Sequence, residues 1–295
     1  MPHKKTLRAM AQQRRGVIVP GAFNALSARL VESVGYEAVY LSGAGLSNMS
    51  LGLPDLGFVG LSDLAEHTSR MRDAVNIPII VDADTGFGNA LNVRHTVRTL
   101  ERCGADAIQF EDQVAPKRCG HFVGQQLIST QEAMGKIQSA VDARHDPDLM
   151  IVARTDAVAS LGIEAAVERA HRYAEAGADV LFIEAVPSIQ LIEMLPMRFD
   201  KPLLLNLVLG GRTPSVQAET LARFGYGFVL YANAALQSAL TGMQRALVSL
   251  KHQGILDEDP FLVTPFSERQ QLVDKPLWDA IATKFGPAGD GDPTD

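Results

Sequence analysis

The chain of 295 residues is 46% hydrophobic and 21% charged, which is the balance of a globular protein with a sizeable core. Its net charge of −7 argues against a nucleic-acid partner, because polyanion binding needs a concentrated basic surface and only isolated basic pairs are present. No apolar run reaches the roughly 20 residues that span a bilayer, and two cysteines cannot form a disulfide framework. We therefore expect a soluble, cytoplasmic protein without a membrane or nucleic-acid partner.

Short apolar runs alternate with longer amphipathic stretches along the chain. Near-continuous hydrophobicity in a short run is typical of a parallel strand, which is buried on both faces. Such runs predict eight strands, at residues 16–20, 38–41, 78–82, 107–111, 150–154, 180–184, 203–207 and 228–231. Helical periodicity between them predicts helices that include 24–34, 61–75, 90–103, 130–143, 163–176 and 214–224.

Eight strand–helix alternations in a chain of this length predict an α/β fold of the TIM type, a (β/α)8 barrel. A doubly wound open sheet is the alternative, but no Gly-x-Gly-x-x-Gly sequence follows an early strand to support a nucleotide site. We expect the catalytic barrel to cover 1–250, a helical extension to cover 251–285 and a disordered tail to cover 286–295.

Polar side chains gather at the carboxyl ends of the predicted strands, where barrel enzymes place their chemistry. Asp82, Asp84 and Glu111 stand at two successive strand ends and offer the hard oxygen ligands that Mg²⁺ prefers. An Asp-x-Asp pair alone is equally well explained as a helix cap or a turn, and Glu111 at the next strand end favours the metal. The sequence therefore predicts a Mg²⁺ site, with Mn²⁺ as the alternative ion.

A second group of polar residues follows the fourth predicted strand and reads Lys117-Arg118-Cys119-Gly120-His121. Three potential cations around one thiol favour its reactive thiolate form. Gly120 gives this loop the freedom that a closing lid needs. The alternative interpretation is a basic surface loop that contains an incidental cysteine.

Arg154 ends an otherwise apolar predicted strand. A guanidinium at the end of a buried strand needs a partner, and a substrate carboxylate held by two parallel hydrogen bonds is a natural one. A structural salt bridge to Glu184 or Asp156 is the competing interpretation, and both interactions can hold together.

Together these motifs resemble the isocitrate lyase/phosphoenolpyruvate mutase superfamily, in order from about residue 22 to residue 245. The segments that carry the resemblance are Tyr40-Leu41-Ser42-Gly43, Leu53-Pro54-Asp55, Val81-Asp82-Ala83-Asp84-Thr85-Gly86-Phe87-Gly88, Glu111-Asp112-Gln113 and Lys117-Arg118-Cys119-Gly120-His121. The last of them is similar to the lyase branch, with its 2-methylisocitrate lyase, 2,3-dimethylmalate lyase and petal-death groups. Mutase-branch proteins carry a different loop, without that cysteine.

The resemblance implies a role for each matching residue. Mg²⁺ would lie near Asp82, Asp84 and Glu111, and Tyr40 would sit beside the reacting hydroxyl. The residues expected to bind the substrate are Ser42, Gly43, Ala44, Asp55, Gly120, Arg154, Glu184 and Asn206. The first three of these would hold the keto-acid carboxylate through hydroxyl and backbone N–H groups.

The implied reaction is a Mg²⁺-dependent carbon–carbon cleavage of a 2-hydroxy di- or tricarboxylate, such as 2-methylisocitrate or a substituted malate. It would release a 2-keto acid and a carboxylate-stabilised carbanion, which Cys119 would protonate as general acid. The negative charge that develops in this step would be stabilised by Lys117, Arg118 and His121. A mobile lid around residues 115–126 would cover the site. The resemblance also implies a homotetramer, a dimer of dimers that exchange their C-terminal helices.

Four residues depart from the superfamily pattern. Methylisocitrate lyases usually carry a hydroxyl residue and a Glu where this chain has Val208 and Leu209, and Ala44 and Asn233 replace a common Gly and Pro. A third carboxylate would lose polar partners beside two apolar residues, and an unpaired buried charge is costly. A substituted malate therefore fits better than a tricarboxylate.

Three other functions remain as alternatives to the lyase. They are an oxaloacetate hydrolase or decarboxylase, a phosphonopyruvate-type mutase, and a non-catalytic binding barrel.

Overall fold

The computed structural model describes residues 2–118, 120 and 124–286 of the chain. Eight parallel strands close into a barrel in the order of the sequence, and the first strand pairs with the last. Every strand begins and ends within two residues of its prediction. The strands are β1 Val17–Ala22, β2 Val39–Leu41, β3 Ile79–Asp82, β4 Ala107–Glu111, β5 Met150–Thr155, β6 Val180–Ile183, β7 Leu203–Asn206 and β8 Phe228–Tyr231. The predicted (β/α)8 barrel is therefore confirmed.

Helices connect the strands and surround the barrel. They are α1 Pro2–Gln13, α2 Ala25–Ser33, α3 Gly43–Leu46, α4 Leu61–Ala74, α5 Ala90–Arg102, α6 Thr130–Ala143, α7 Val158–Leu161, α8 Ile163–Glu175, α9 Ile189–Met194, α10 Ala218–Phe224, α11 Ala234–Gln253, α12 Phe266–Leu272 and α13 Lys275–Phe285. A short π-helical segment, Ser47–Leu51, follows α3, and a 3₁₀ segment, Leu195–Arg198, follows α9. The helix predicted at 214–224 starts later, at Ala218, because the backbone of Gln217 is still extended.

Local sequence signals explain where several helices begin and end. Asn24 accepts a hydrogen bond from the Ser27 amide at 2.8 Å, and the Ser27 hydroxyl accepts one from the Asn24 amide at 3.1 Å. These two bonds form a capping box at the start of α2. Gly225 ends α10 with a φ of +97°, a conformation that glycine adopts without steric cost.

The interior of the barrel is filled by apolar side chains, including those of Val19, Met150 and Phe228. Leu7 and Met10 of α1 belong to the same buried cluster. Because these α1 residues pack with Val17 and Phe228, which begin β1 and β8, α1 covers the amino-terminal mouth of the barrel. The polar residues expected to form the active site lie at the opposite, carboxyl-terminal mouth.

Strand register decides which side chains become neighbours at that mouth. Asp82 of β3 is the partner of Gln109 on β4, and Glu111 of β4 is the partner of Arg154 on β5. Adjacent strands lie about 5 Å apart, so these polar groups come within interaction distance of one another.

The chain divides into two compact units, Met1–Gln237 and Ser238–Asp295. The first contains the whole barrel, and the second contains α12 and α13 packed on each other. No helix in the described part of the chain has both the length and the hydropathy needed to cross a membrane.

Candidate active site

Three carboxylates converge at the carboxyl-terminal mouth of the barrel. Each of Asp82, Asp84 and Glu111 offers one oxygen, and these oxygens lie within 4.8 Å of one another. Asp82 and Glu111 end β3 and β4, whereas Asp84 lies in the following turn with a φ of +47°. A side chain at Gly43 would lie 3.3 Å from carboxylate oxygens of both aspartates, so glycine keeps the approach to the group open.

Both carboxylate oxygens of Glu111 are buried without a hydrogen bond within the described residues. Oδ1 of Asp84 is also buried, and its charged neighbour is the Lys117 ammonium. Burial, together with the charges of Asp82 and Asp55, raises the pKa of Asp84 to about 7 against the opposing charge of Lys117. Burial also raises the pKa of Glu111 well above its usual value. Carboxylates in this situation are stabilised by a cation, so the three residues fit a divalent metal ion.

Lys117 is buried beside the acidic group. Its ammonium donates a hydrogen bond to Asp55 Oδ1 at 2.6 Å and lies 3.0 Å from Asp84 Oδ1 as an ion pair. Asp55 belongs to the loop before α4, so Lys117 ties that loop to the metal-binding turn.

Arg154 is surrounded by carboxylates. It donates two hydrogen bonds to Asp156, from Nη2 at 2.7 Å and from Nε at 3.1 Å, and its nitrogens lie 3.4 Å from Glu184 and 3.5 Å from Glu111. The guanidinium also stacks 5.1 Å from the ring centre of Phe182. The structural salt bridges considered for Arg154 are therefore present, and the acidic neighbours fix the direction of its planar donor group.

Glu184 and Asn206 extend this arrangement from β6 to β7. Asn206 donates from Nδ2 to Glu184 Oε2 at 3.1 Å, while its own Oδ1 is buried without a partner within the described residues. Both residues line the same small cavity as Arg154 and Tyr40. The free amide oxygen can accept a hydrogen bond from a ligand in that cavity.

Tyr40 lies deeper in the barrel, on β2. Its hydroxyl donates to Gln109 Oε1 at 2.5 Å, and Gln109 Nε2 donates to Asp82 Oδ1 at 3.1 Å. Burial, with a further contribution from the charge of Asp82, raises the pKa of Tyr40 well above its usual value. The phenol therefore keeps its proton at neutral pH.

The residues expected to hold the keto-acid carboxylate lie beside this group. Ser42 caps α3 by accepting a hydrogen bond from the Gly45 amide at 3.1 Å, and the Gly43 amide points at Asp82 Oδ2 at 3.4 Å. Ser42 and Ala44 line the cavity.

The expected lid is anchored at both ends by hydrogen bonds. Gln113 donates to the Arg118 carbonyl at 2.8 Å and accepts from the Arg118 amide at 3.0 Å, while the Gln125 side chain donates to the Gly120 carbonyl at 2.8 Å. A Cβ atom on Gly120 would lie 2.3 Å from Arg154 Nη2. The loop therefore packs directly against Arg154.

Two of the expected catalytic residues, Cys119 and His121, lie outside the described residues, as does the predicted tail beyond Gly286. The side chain of Arg118 is exposed and lines a groove on the outer side of the lid, together with Gln126. Its placement differs from that of Lys117, which is buried and lines the inner cavity as well.

One side of the cavity is apolar and is lined by Val208, Leu230 and Ala232. Asn233 also lines it, and its Oδ1 is buried without a partner in the described part of the chain. Leu209 is about half exposed and does not belong to this lining, although it was expected to face the substrate beside Val208. The Gly211 amide donates to the Val208 carbonyl at 2.9 Å, so a turn begins at Val208 and carries Leu209 away from the cavity.

Two residues that position the site are absent from the expected set. Gln109 bridges Tyr40 and Asp82, and the available signal was a polar residue two positions before Glu111 on the same face of β4. Asp112 accepts hydrogen bonds from the side chains of Thr155, Arg169 and Tyr173 and from the Asp156 amide. No local sequence pattern marks such a long-range cluster.

A family model described as phosphoenolpyruvate phosphomutase matches residues 7–251 of the chain. The chain belongs to the phosphoenolpyruvate mutase/isocitrate lyase superfamily. The resemblance of the five motifs is thereby confirmed.

Lyases of this superfamily are similar to the chain by sequence. The 2-methylisocitrate lyase of Aeropyrum pernix is 46% identical over 248 residues, covering 84% of this chain and 80% of the relative. The 2,3-dimethylmalate lyase of Eubacterium barkeri is 40% identical over 271 residues, covering 90% of this chain and 92% of the relative. The predicted assignment to the carbon–carbon lyases of the superfamily agrees with both.

Solved structures of the superfamily superpose over nearly the whole chain. A crystal structure of 2,3-dimethylmalate lyase aligns with a TM-score of 0.91 at 32% identity, covering 99% of this chain and 98% of that one. Oxaloacetate acetylhydrolase bound to 3,3-difluorooxalacetate aligns with a TM-score of 0.89 at 31% identity, covering 98% of each chain.

Proposed function

We propose that the protein is a Mg²⁺-dependent carbon–carbon lyase that cleaves a substituted malate into a 2-keto acid and a carboxylate. The observation that carries the proposal is the buried acidic group beside Arg154 and Lys117, because it combines a metal site with carboxylate-binding cations in one cavity. Mn²⁺ is the alternative ion, since the same oxygen ligands suit it.

The lining of the cavity supports a dicarboxylate over a tricarboxylate. Val208, Leu230 and Ala232 form an apolar side that suits the alkyl branch of a substituted malate. The cations that line the cavity within the described residues, Lys117 and Arg154, already pair with protein carboxylates. A third substrate carboxylate would therefore enter the apolar side without a counter-charge.

Bound Mg²⁺ would supply positive charge to the substrate hydroxyl and its neighbouring carboxylate. The protein's own groups do the remaining work. Arg154, held in one direction by Asp156, orients the substrate carboxylate, and Tyr40 lies where it can contact the hydroxyl. The lid excludes water while the carbanion exists, and Cys119 protonates that carbanion as general acid. Lys117, which lines the cavity, and His121 stabilise its negative charge, whereas the Arg118 side chain would have to turn inward from the outer groove to do so.

A substrate panel tests this function. The purified protein is incubated with Mg²⁺ and separately with 2-methylisocitrate, isocitrate, 2,3-dimethylmalate, alkylmalates and oxaloacetate, and keto-acid release is followed with and without EDTA. We expect EDTA-sensitive release from a substituted malate, which is lost in a Cys119→Ser variant. Cleavage of 2-methylisocitrate in preference to every malate would overturn the substrate class.

Oxaloacetate hydrolysis is the second candidate function. It is favoured by the similarity of the whole chain to oxaloacetate acetylhydrolase, which was solved with a fluorinated oxaloacetate in its site. Turnover of oxaloacetate to oxalate and acetate, without cleavage of any hydroxy acid in the panel, would establish this function instead of the lyase.

We also propose that the protein is a homotetramer in which dimers exchange their C-terminal helices. The unit Ser238–Asp295 exposes many large apolar side chains, among them Phe261, Trp278 and Phe285, and such patches mark interaction surfaces. Trp278 is the sole tryptophan of the chain, so its fluorescence reports on this unit. We expect four times the chain mass of 31.8 kDa by light scattering, with tryptophan emission shielded from acrylamide. A monomer with fully quenchable emission would contradict the assembly.

A further inference from the structure

A chain of two hydrogen bonds runs beneath the cavity from Tyr40 to the metal-binding group. The Tyr40 hydroxyl donates to Gln109 Oε1 at 2.5 Å, and Gln109 Nε2 donates to Asp82 Oδ1 at 3.1 Å. All three residues are buried, and Tyr40 lines the cavity.

The direction of this chain follows from the chemistry of its ends. A carboxylate that binds a metal is deprotonated and can only accept hydrogen bonds, so the amide nitrogen of Gln109 must face Asp82. The amide oxygen then faces Tyr40, and an amide oxygen also only accepts. The single proton of the Tyr40 phenol is therefore directed at Gln109. The lone pairs of its oxygen remain available to a hydrogen-bond donor, and Tyr40 lines the cavity.

We propose that Gln109 is a positioning residue that makes Tyr40 a hydrogen-bond acceptor in the substrate site. The consequence is selectivity for a 2-hydroxy acid over the 2-keto acid with the same carbon skeleton. This inference rests on the proposed function, because it places the substrate hydroxyl in the cavity that Tyr40 lines.

The selectivity has a simple electrostatic origin. A hydroxyl group can donate to the Tyr40 oxygen, whereas a keto oxygen has no proton and would face the lone pairs of the phenol. A buried acceptor left without a donor loses the free energy of one hydrogen bond, which corresponds to about a tenfold change in affinity. Cleavage turns the hydroxy acid into a keto acid, so the same arrangement would favour release of the keto product.

Binding of matched ligand pairs to the Mg²⁺-loaded protein tests the inference without turnover. The pairs are lactate with pyruvate and 2-hydroxyglutarate with 2-ketoglutarate, since cleavage at C2–C3 of either hydroxy acid would leave no carboxylate-stabilised carbanion. Calorimetry gives the ratio of the two affinities within each pair. We expect the wild-type protein to bind the hydroxy acid about tenfold more tightly.

Two variants separate positioning from general disruption. Gln109→Met removes the acceptor of the Tyr40 proton, which is then free to point into the cavity. The keto acid should bind more tightly to this variant, so the ratio of hydroxy-acid to keto-acid affinity should fall. Tyr40→Phe removes the phenol oxygen that accepts from the substrate hydroxyl. The hydroxy acid should bind more weakly to this variant, so the two affinities of a ligand pair should become equal. Tyr226→Phe, in which a buried tyrosine loses its bond to the Ile192 carbonyl, is the matched control and should keep the wild-type ratio.

Loss of affinity for both ligands by the same factor in Gln109→Met would overturn the inference, as would a wild-type preference for the keto acid. If Gln109→Met does not fold, Gln109→Asn takes its place, because its shorter side chain cannot reach both Tyr40 and Asp82, and the same change of the ratio is expected. A working lyase with an unchanged ratio in both variants would overturn the role of Gln109 and leave the proposed function in place. If the wild-type protein binds hydroxy acids selectively but cleaves no compound of the substrate panel, the proposed lyase function would be overturned and the inference about Gln109 would stand.

Discussion

Lys117 is a buried ammonium group held between Asp55 and Asp84. Burial by itself lowers the pKa of a lysine, but the charges of Asp84, Glu111 and Asp55 outweigh burial and raise the pKa of Lys117 well above its usual value. The residue therefore stays charged throughout the physiological pH range. Its charge offsets part of the repulsion among the metal-binding carboxylates.

Replacing Lys117 with Met should destabilise the protein even though the side-chain volume is kept. Breaking a buried ion pair leaves uncompensated charge, so we expect unfolding to become easier by about 3 kcal/mol. Urea denaturation in the absence of metal measures this change. Arg70→Met is the control, because Arg70 pairs with Glu66 on the exposed face of α4 and should change stability by less than about 0.5 kcal/mol. Equal effects of the two substitutions would contradict the account.

The expected lid contacts Arg154, which we propose to bind the substrate, through a residue that has no side chain. A methyl group at Gly120 would lie 2.3 Å from Arg154 Nη2 and 2.5 Å from Asp156 Oδ1, closer than Cβ atoms are found to real neighbours. The loop would have to lift away, or Arg154 would have to move.

We therefore expect Gly120→Ala to lower kcat/KM by roughly 100-fold, since displacement of a catalytic group by about 1 Å can have an effect of that size. The melting temperature should stay unchanged. Gly135→Ala is the matched control, because Gly135 lies in α6 with open space around it and alanine should stabilise that helix by about 0.5–1 kcal/mol at full activity. Wild-type kcat/KM in Gly120→Ala would refute direct contact between lid and arginine.

Behind the site, Asp112 links the end of β4 to β5 and α8. Its Oδ2 accepts from Tyr173 at 2.7 Å and from Arg169 at 3.0 Å, and its Oδ1 accepts from the Asp156 amide at 2.9 Å. Since Asp156 holds Arg154, this cluster supports Arg154 from the outer layer of helices.

Two matched substitutions measure the strength of that support. Tyr173→Phe removes a hydrogen bond to the Asp112 carboxylate and a weaker one accepted from Arg169, whereas Tyr226→Phe removes one to a neutral carbonyl, that of Ile192. Bonds to charged groups contribute more, so we expect losses in unfolding free energy of about 2 and about 1 kcal/mol respectively. Urea denaturation of both variants gives the comparison, and a larger loss in Tyr226→Phe would count against the cluster.

Most of the barrel is predictable from the sequence because strands buried on both faces leave an uninterrupted apolar signal. The carboxylates Asp82, Asp84 and Glu111 are predictable as a group, since parallel strands bring their carboxyl ends to one mouth. Both inferences need only local patterns and the rule that consecutive β/α units are neighbours.

Other features depend on contacts that no local pattern records. Asp112 and Tyr173 are 61 positions apart, and their bond exists only because α8 packs against β5. In the sequence, Gln109 is a polar residue within an otherwise apolar strand, and its role is not evident. The structure shows that its side chain bridges Tyr40 and Asp82 by hydrogen bonds. The opposite orientations of Val208 and Leu209 likewise follow from the backbone path after β7.

The amino-terminal helix α1 contributes to stability at the end of the barrel away from the site. Leu7 is fully buried in the same cluster as the interior residues, and Arg8 donates to Asp179 at 2.9 Å. We expect Leu7→Ala to lower the unfolding free energy by about 3 kcal/mol through the cavity it leaves, with KM unchanged. Leu26→Ala on the exposed side of α2 should have little effect on stability. A change in KM for Leu7→Ala would show that the two mouths are coupled.

The most direct measurement is the identity of both products formed from a substituted malate with Mg²⁺ in D₂O, followed by NMR. We expect equal amounts of the 2-keto acid and the second carboxylate product, and no reaction with EDTA present. The second product should carry one solvent deuterium on the carbon that was bonded to the hydroxyl-bearing carbon. Release of oxalate and acetate from oxaloacetate, with the malates left intact, would contradict the lyase and assign the same site to hydrolysis.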